Sequence, residues 1–212
     1  MRITGGEFGG RNLKVPKSDA IRPTQDRVRE ALFNIIQFEI GGADFLDLFA
    51  GSGAVGLEAL SRGAKSVTFV EANRRHLAVL NENLAMVTGR GSSGASCASY
   101  TRDSSCASQT RDSSLASSAR TTVVAADCYR WLATYAGPGF SIGFADPPYA
   151  LGEEKGYAAV LATLAERGVI REGGLFVAEM AAVQKAEETP GWELVRDRTY
   201  GKTRLCIWRR TK

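Results

Sequence analysis

The chain has 212 residues, of which 44% are hydrophobic and 24% are charged, and its formal net charge is +4. This balance is typical of a soluble globular protein, and no apolar run reaches the roughly 18–20 residues that span a bilayer. The amino terminus has no apolar signal region, so we expect a cytoplasmic protein without a membrane anchor. The four cysteines form no CxxC pair and there is one histidine, which argues against a zinc site or a Ser-His-Asp hydrolase.

The positive charge is concentrated near the carboxyl terminus. Residues 196–212 contain seven Lys or Arg residues against one acid, Asp197. A basic cluster of this kind favours a partner with a phosphate backbone. It is equally typical of a solvated surface, so the cluster alone does not identify a nucleic-acid-binding protein.

The first 40 residues are predicted to form an extension in front of the main domain. Residues 1–17 are basic and glycine-rich with short apolar positions between the glycines, which predicts a small β-hairpin. Residues 25–39 carry an apolar stripe at helical spacing that runs to Phe38. This stripe predicts a helix with Thr24 as its N-cap.

From residue 43 onward, strands and helices alternate. The predicted strands cover residues 45–49, 66–70, 121–125, 141–145 and 174–179, and the helices between them cover residues 54–62, 74–86, 129–135 and 157–167. Residues 192–198 and 204–208 are predicted to form an antiparallel pair around a turn at Gly201. Repeated strand–helix units predict an α/β domain over residues 41–212, with a parallel sheet covered on both faces and closed by this hairpin.

Residues 88–120 interrupt the alternation. They are rich in Ser, Gly and Ala, and they contain a nine-residue near-repeat that starts at Cys97 and again at Cys106. Their apolar content is too low to offset the cost of ordering them, so the segment is predicted to be a flexible insertion. It joins a helix to the start of a strand, and such connections lie at the sheet edge opposite the ligand crevice.

A glycine-rich turn follows the first strand of the main domain. Residues 45–56 read FLDLFAGSGAVG, and the spacing of the glycines suits NAD as well as S-adenosylmethionine. Asp47 favours S-adenosylmethionine, because a carboxylate there repels a pyrophosphate and attracts a positively charged amino group. The candidate cofactor-binding residues of this turn are Asp47, Phe49, Gly51, Ser52, Gly53 and Gly56.

Acids also follow the next two strands. Glu71 comes 20 residues after Gly51, where a carboxylate can accept hydrogen bonds from ribose hydroxyls. Asp127 follows the third strand and is a candidate to bind the adenine amino group. Acids at helix starts also have an ordinary structural role, so neither residue identifies the ligand by itself.

The motif with the most specific chemistry is Asp146-Pro147-Pro148-Tyr149, directly after the fourth strand. Consecutive prolines cannot continue a central strand, so they fix a stiff turn at its carboxyl end. The Asp146 side chain and the Pro147 carbonyl can accept the hydrogens of an exocyclic base amine, and Tyr149 can stack on the base. We therefore predict that Asp146, Pro147 and Tyr149 are the catalytic residues of a methyltransferase acting on such an amine, with alignment supplying most of the rate.

Together these motifs resemble the RsmD family of 16S rRNA guanine-N2 methyltransferases. The most specific match is RPTQDRVREALFN, residues 22–34. The opening MRITGG with Gly10 and Arg11, the turn at residues 47–56, the corner at residues 146–149 and the closing YGKTRL also match. Residues 88–120 depart from the family pattern, which has a short loop there.

The resemblance implies a Rossmann-like class I S-adenosylmethionine-dependent methyltransferase fold, with a seven-stranded, mostly parallel sheet and a small amino-terminal hairpin extension. It implies methylation of guanine N2 at position 966 in the family's RNA numbering, within an assembling small subunit that carries proteins. It places residues 22–30 along the cofactor cleft, which makes Thr24 and Glu30 candidate cofactor-binding residues. The candidate RNA-binding residues are Arg2, Arg11, Arg22 and Arg204. We also expect a monomer that binds no metal.

Other functions remain open at this stage. An adenine-N6 DNA methyltransferase shares the Asp-Pro-Pro-Tyr chemistry, although such enzymes usually carry a sizeable target-recognition region. A protein-glutamine methyltransferase would favour Asn at the position of Asp146. A non-catalytic RNA-binding assembly factor would not need intact acids at positions 47, 71 and 146, and a nicotinamide dehydrogenase leaves the proline corner unexplained.

Overall fold

A seven-stranded sheet forms the centre of the molecule. The computed structural model describes residues 1–16, 23–89, 119–147, 149–186 and 188–212, and for residues 23–25 and 149–156 it describes the backbone. The strands are β1 (Asp44–Leu48), β2 (Ser66–Glu71), β3 (Arg120–Ala125), β4 (Phe140–Ala145), β5 (Ile170–Ala181), β6 (Trp192–Tyr200) and β7 (Thr203–Arg210). Their order is β3-β2-β1-β4-β5-β7-β6, parallel from β1 to β5 and antiparallel at β7 and β6. The predicted parallel sheet with a closing hairpin is confirmed.

Helices cover both faces of this sheet. They are α1 (Pro23–Ile35), α2 (Ala54–Ser61), α3 (Arg74–Thr88), α4 (Cys128–Thr134) and α5 (Tyr149–Glu166). Side chains of α1, α2 and α3 form one core with alternate strand residues, and side chains of α4 and α5 form a second core with the other residues. The period-2 alternation of strand side chains separates the two cores. Within the described ranges, no helix is long and apolar enough to cross a membrane.

The amino-terminal extension folds back on itself as predicted, with an antiparallel bridge between Arg2 and Asn12. The Ile3 amide donates to the Arg11 carbonyl at 3.0 Å. Ile3, Phe8 and Leu13 are buried in the same core as α1 and the sheet. The extension therefore packs as part of the sheet's own core.

Several boundaries differ from the sequence-based expectation, among them the start of β5, at Ile170 instead of residue 174, and three helix ends. Helix α1 begins at Pro23, since proline is well suited to a first helical position, so Thr24 lies inside the helix and is not its N-cap. The helix ends at Ile35, and the chain then turns so that Ile40 becomes buried while Phe38 is 90% exposed. Helix α5 begins at Tyr149, eight residues before the predicted start, directly after the prolines that end β4.

The predicted flexibility of the insertion concerns residues that lie largely outside the described part of the chain. Helix α3 ends at Thr88, followed by Gly89 with a left-handed φ of 69°. The chain is described again from Ala119, and β3 begins at Arg120. Because β3 is parallel to β2, this entry point lies at the amino-terminal edge of the sheet.

Candidate active site

A cleft of about 200 Å³ lies at the carboxyl ends of β1, β4 and β5, on the face of the sheet that α1 covers. It is lined by Met1, Val15, Val28, Arg29, Leu32, Asp47, Phe49, Ala50, Gly51, Ser52, Ala54, Val55, Phe144, Asp146 and Glu179. The glycine-rich turn and the residue that opens the proline corner therefore border the same cavity. Asp47, Phe49, Gly51, Ser52 and Asp146 are the members of this lining that the sequence singled out.

Asp47 lies at the floor of the cleft and is almost completely buried. One carboxylate oxygen accepts a hydrogen bond from the Gly56 amide at 2.8 Å, which fixes the start of α2 against β1. The pKa of Asp47 is raised to about 7, chiefly by burial and also by the neighbouring carboxylates of Glu71 and Asp146, against the opposing effect of the Gly56 hydrogen bond. A positively charged ligand group in the cleft would favour the ionised carboxylate.

The three glycines of the turn have two different roles. Gly51 has a left-handed φ of 55°, and a Cβ on it would have the Phe49 carbonyl oxygen as its nearest neighbour at 3.9 Å, as expected for backbone that borders a ligand. A Cβ on Gly53 would stand 2.2 Å from Leu80, and one on Gly56 would stand 2.3 Å from Phe69. Gly53 and Gly56 are therefore required for packing of the turn and of α2 against neighbouring elements.

Phe49 shows that the turn is strained. It has a φ of 58°, in the left-handed region that a phenylalanine rarely adopts. Its amide donates to the Cys128 thiol at 3.3 Å, and its ring meets the Tyr129 ring edge-on, with centroids 5.6 Å apart. Cys128 itself is buried, as predicted for a small core residue.

Glu71 ties the end of β2 to the glycine turn. One carboxylate oxygen accepts from the Gly51 amide at 2.8 Å, and the other accepts from the Asn73 amide at 2.7 Å. His76 lies beside the first of these oxygens, with its Nδ1 atom 3.8 Å away. A carboxylate has further lone pairs, so this arrangement leaves capacity for ligand hydroxyls.

Asp127 is exposed and caps α4. Its carboxylate accepts from the Arg130 amide at 2.9 Å, which is the ordinary role of an acid before a helix. It does not line the cleft around Asp47. Its assignment to the adenine amino group stays a prediction.

The proline corner stands between two cavities. Ala145, the last residue of β4, pairs with Leu48 of β1 and Ala178 of β5, and Asp146 follows it into the cleft. Pro147 is buried and lines a separate apolar pocket of about 10 Å³ together with Phe49 and residues of α4 and α5. Pro148 and the Tyr149 side chain lie outside the described residues, so the predicted stacking role of Tyr149 stays a prediction.

Known proteins resemble this chain over nearly its whole length. A family model described as "Conserved hypothetical protein 95" matches residues 1–114 and 102–209. The chain is 34% identical to ribosomal RNA small subunit methyltransferase D of Escherichia coli over 99% of this chain and 90% of that protein, and 32% identical to YlbH of Bacillus subtilis over 99% of each. It superposes on the solved structure of Escherichia coli yhhF with a TM-score of 0.75, at 31% identity over 100% of this chain and 98% of that one.

The chain belongs to the RsmD family of methyltransferases. Its sheet order, with the antiparallel β7 placed between β5 and β6, is the class I S-adenosylmethionine-dependent methyltransferase fold that the resemblance implied. The two segments that match the family model overlap at residues 102–114, within the repeat-containing segment.

In this RsmD-family chain, α1 faces the cleft through Val28, Arg29 and Leu32. Glu30, a predicted cofactor-binding residue, is exposed and is not among the residues that line the cleft. The side chain of Thr24 and all of Arg22 lie outside the described residues. Their predicted contacts with cofactor and RNA stay predictions.

Of the other candidate RNA-binding arginines, Arg11 and Arg204 have protein partners for their guanidinium groups. The Arg11 guanidinium donates to the Met86 and Val87 carbonyls at the end of α3 and lies 4.8 Å from the centroid of the Phe8 ring. Arg204 makes two hydrogen bonds to the carboxylate of Asp197, which lowers the pKa of that acid. The side chain of Arg2 is exposed, and its backbone carbonyl accepts from Arg29. RNA contact by these three arginines stays a prediction.

Sequence reasoning missed Arg29 and Glu179 as residues of the cleft. Arg29 sits within the most specific family match, but its burial beneath the amino-terminal extension depends on tertiary packing. Glu179 could have been found by the rule that selected Glu71 and Asp146, since it is an acid near the carboxyl end of an apolar strand. Among the described residues, no cluster of three His, Cys, Asp or Glu side chains could hold a metal ion.

Proposed function

We propose that this protein transfers a methyl group from S-adenosylmethionine to the exocyclic N2 amine of a guanine in 16S rRNA. One observation carries the proposal: Asp146 and the turn around Gly51 border the same cleft, with the buried Asp47 at its floor. Membership of the RsmD family supports the methyl donor and the class of RNA. The choice of guanine and of its N2 atom is the part that goes beyond family membership.

The residues of the cleft fit the cofactor chemically. Asp47 is a buried acid with a pKa raised to about 7, so a positive ligand group beside it would relieve the cost of its charge. The open backbone at Gly51 and Ser52 gives a polar wall, and Phe49, Leu32 and Phe144 give apolar surface. S-adenosylmethionine, when bound, supplies an amino group with a positive charge and a methyl group on a positively charged sulfur.

The proline corner suits an amine that is a poor nucleophile. In guanine the N2 lone pair is delocalised into the ring, and two acceptors that hold both N2 hydrogens direct it out of conjugation. The Asp146 carboxylate and the Pro147 carbonyl are the two acceptors that the corner offers at the end of β4. The methylated amine is cationic and can lose a proton to solvent afterwards, so alignment is the main contribution of the protein.

The expected substrate is a small-subunit assembly intermediate, at the guanine that corresponds to position 966 in the family's RNA numbering. We expect the protein to act on it as a cytoplasmic monomer. Exposed basic residues of the extension, such as Arg2, and those in the carboxyl-terminal hairpin give phosphate contacts that fix orientation without reading sequence.

The decisive experiment maps methylated nucleotides by mass spectrometry in rRNA from a strain that lacks this protein. We expect the loss of one N2-methylguanine in 16S rRNA and its return when the purified protein, labelled cofactor and small-subunit particles are combined. Transfer of the label to DNA oligonucleotides, with none to ribosomal particles, would instead support an adenine-N6 DNA methyltransferase. Weak or absent cofactor binding would support a non-catalytic assembly factor.

A further inference from the structure

Glu179 lines the cleft, but the methyl-transfer chemistry described above assigns it no role. We propose that Glu179 is a specificity-determining residue that accepts the N1–H of the target purine and thereby selects guanine. This inference rests on the proposed function, because it assigns a second contact to the same base.

The sheet register brings Glu179 beside Asp146. The final pair in the register of β4 and β5 is Ala145 with Ala178, so the next residue along each segment is Asp146, just past the end of β4, and Glu179. Neighbouring strands lie about 4.8 Å apart, so the two backbones are adjacent at the same edge of the sheet.

The pleat directs both side chains to the same face. Phe144 and Val177 precede Asp146 and Glu179 by two residues, and both are buried in the core on the α1 side of the sheet. Side chains two residues apart on a strand share a face. Asp146 and Glu179 accordingly both line the cleft beneath α1.

Two adjacent acceptors match one edge of guanine. Guanine carries its N2 amine and its N1–H side by side on the Watson–Crick edge, so both present hydrogens. Adenine has an amine at N6, but its N1 is a lone pair, and an ionised carboxylate can only accept hydrogen bonds. With the amine held at Asp146, a carboxylate at Glu179 favours a purine with N1–H and disfavours one without it.

The size of the effect follows from the value of a charged hydrogen bond. A purine with N1–H gains this hydrogen bond, whereas a purine without it places a lone pair against the carboxylate. The difference favours the first purine by on the order of 10- to 100-fold. A glutamine in place of Glu179 could accept from N1–H through its carbonyl oxygen or donate to an N1 lone pair through its amide nitrogen. Glu179→Gln should therefore weaken the preference for a purine with N1–H more than it lowers the rate of methyl transfer.

The test uses reconstituted small-subunit particles in which the target guanine is replaced by 2-aminopurine, which keeps the N2 amine but has a lone pair at N1. We expect the wild-type protein to methylate guanine with a kcat/KM about 10- to 100-fold above that for 2-aminopurine. Glu179→Gln should bring this ratio close to one while its affinity for S-adenosylmethionine stays within a few-fold of wild type. Glu193→Gln, which neutralises an exposed acid at the opposite end of the sheet, should keep the wild-type ratio.

Equal methylation of both bases by the wild-type protein would overturn the role of Glu179, and this comparison needs no variant. A wild-type ratio retained by Glu179→Gln would overturn it as well. These outcomes leave the proposed function intact, because the N2 atom is still methylated. Transfer to an atom other than guanine N2 in unmodified particles, located by mass spectrometry, would instead refute the proposed function together with this inference.

Discussion

Asp47 and Glu58 are both buried carboxylates on the α1 side of the sheet, but their surroundings are opposite. Glu58 accepts hydrogen bonds from the Thr4 amide and hydroxyl at 2.7 and 2.8 Å and from the Gly5 amide at 2.9 Å. It also pairs with Arg62 at 2.8 Å and with Arg29 at 3.4 Å. This carboxylate joins the amino-terminal extension, α1 and α2 through donors that the protein itself supplies.

The charged groups that surround Asp47 have the opposite sign from those around Glu58. Among the described residues, the charged groups that act on its pKa are two further acids, Glu71 and Asp146. The contrast separates a structural acid from a binding acid. Where the fold holds segments together it provides its own counter-charges, and where it receives a cationic ligand the counter-charge arrives with the ligand.

The largest effect should follow removal of Glu58. Glu58→Ala leaves two buried or half-buried guanidinium groups without their shared partner, so we expect the free energy of unfolding to fall by about 3–5 kcal/mol. Urea denaturation measures this. The matched control is Glu82→Ala, which removes an exposed partner of Lys14 on the same extension and should cost less than about 1 kcal/mol. Similar losses of unfolding free energy in the two variants would mean that Glu58 contributes no more to stability than an exposed acid does.

The next largest effect concerns Asp146, the neighbour of Asp47 in the cleft. Asp146→Ala should lower the single-turnover rate of methyl transfer at least about 100-fold, since a misaligned amine loses most of the catalytic benefit. Calorimetry should show cofactor affinity within a few-fold of wild type. Asp146→Asn keeps one acceptor oxygen and should lose less activity than the alanine variant. Parallel loss of turnover and cofactor affinity would assign Asp146 a structural role.

A smaller effect is the pH dependence that the raised pKa of Asp47 imposes. Since the ligand's positive group favours the ionised acid, affinity for S-adenosylmethionine should fall by up to about tenfold per pH unit below about pH 7. Calorimetry between pH 5.5 and 8 measures this slope. Asp47→Asn should bind more weakly at pH 8 and show a flatter profile. An unchanged slope in this variant would assign the titration to another group.

The raised pKa of Asp47 also determines how the stability of the fold changes with pH. The pKa of Asp47 is higher in the folded state than the ordinary value of 3.8, so the folded protein binds the proton more tightly. The ionised carboxylate therefore destabilises the fold above about pH 7, and this destabilisation disappears as pH falls from about 7 towards 3.8. Asp47→Asn should accordingly be at least as stable as wild type at pH 8, whereas Glu58→Ala is much less stable.

The smallest effect on activity is expected from a change made away from the surroundings of both Asp47 and Glu58. Replacing residues 91–118 by a short linker should leave turnover near normal, because the described ends of this segment, at Gly89 and Ala119, connect to the sheet edge opposite the cleft. Methyl transfer to small-subunit particles measures this. A collapse in RNA affinity after the deletion would show that the segment contributes to substrate binding.

The sequence by itself determined the order of strands and helices, and it located the acids at strand ends. Apolar runs at period 2 and 3.6 are local signals, so β1 to β4 were predicted to within about one residue. The start of α5 was predicted eight residues too late, because glycines at positions 152 and 156 weaken the helical pattern of its first turns. The motif around Asp146 was recognisable because two prolines restrict the backbone whatever surrounds them.

Tertiary structure alone decided which of these residues meet. Glu58 reaches Thr4 across 54 positions of sequence, and the pairing of β4 with β5 sets Glu179 beside Asp146. Only packing shows that Gly53 and Gly56 make room for the side chains of Leu80 and Phe69. Local pattern fixes which element a residue belongs to, whereas charge compensation, burial and cavity lining depend on contacts between segments far apart in the chain.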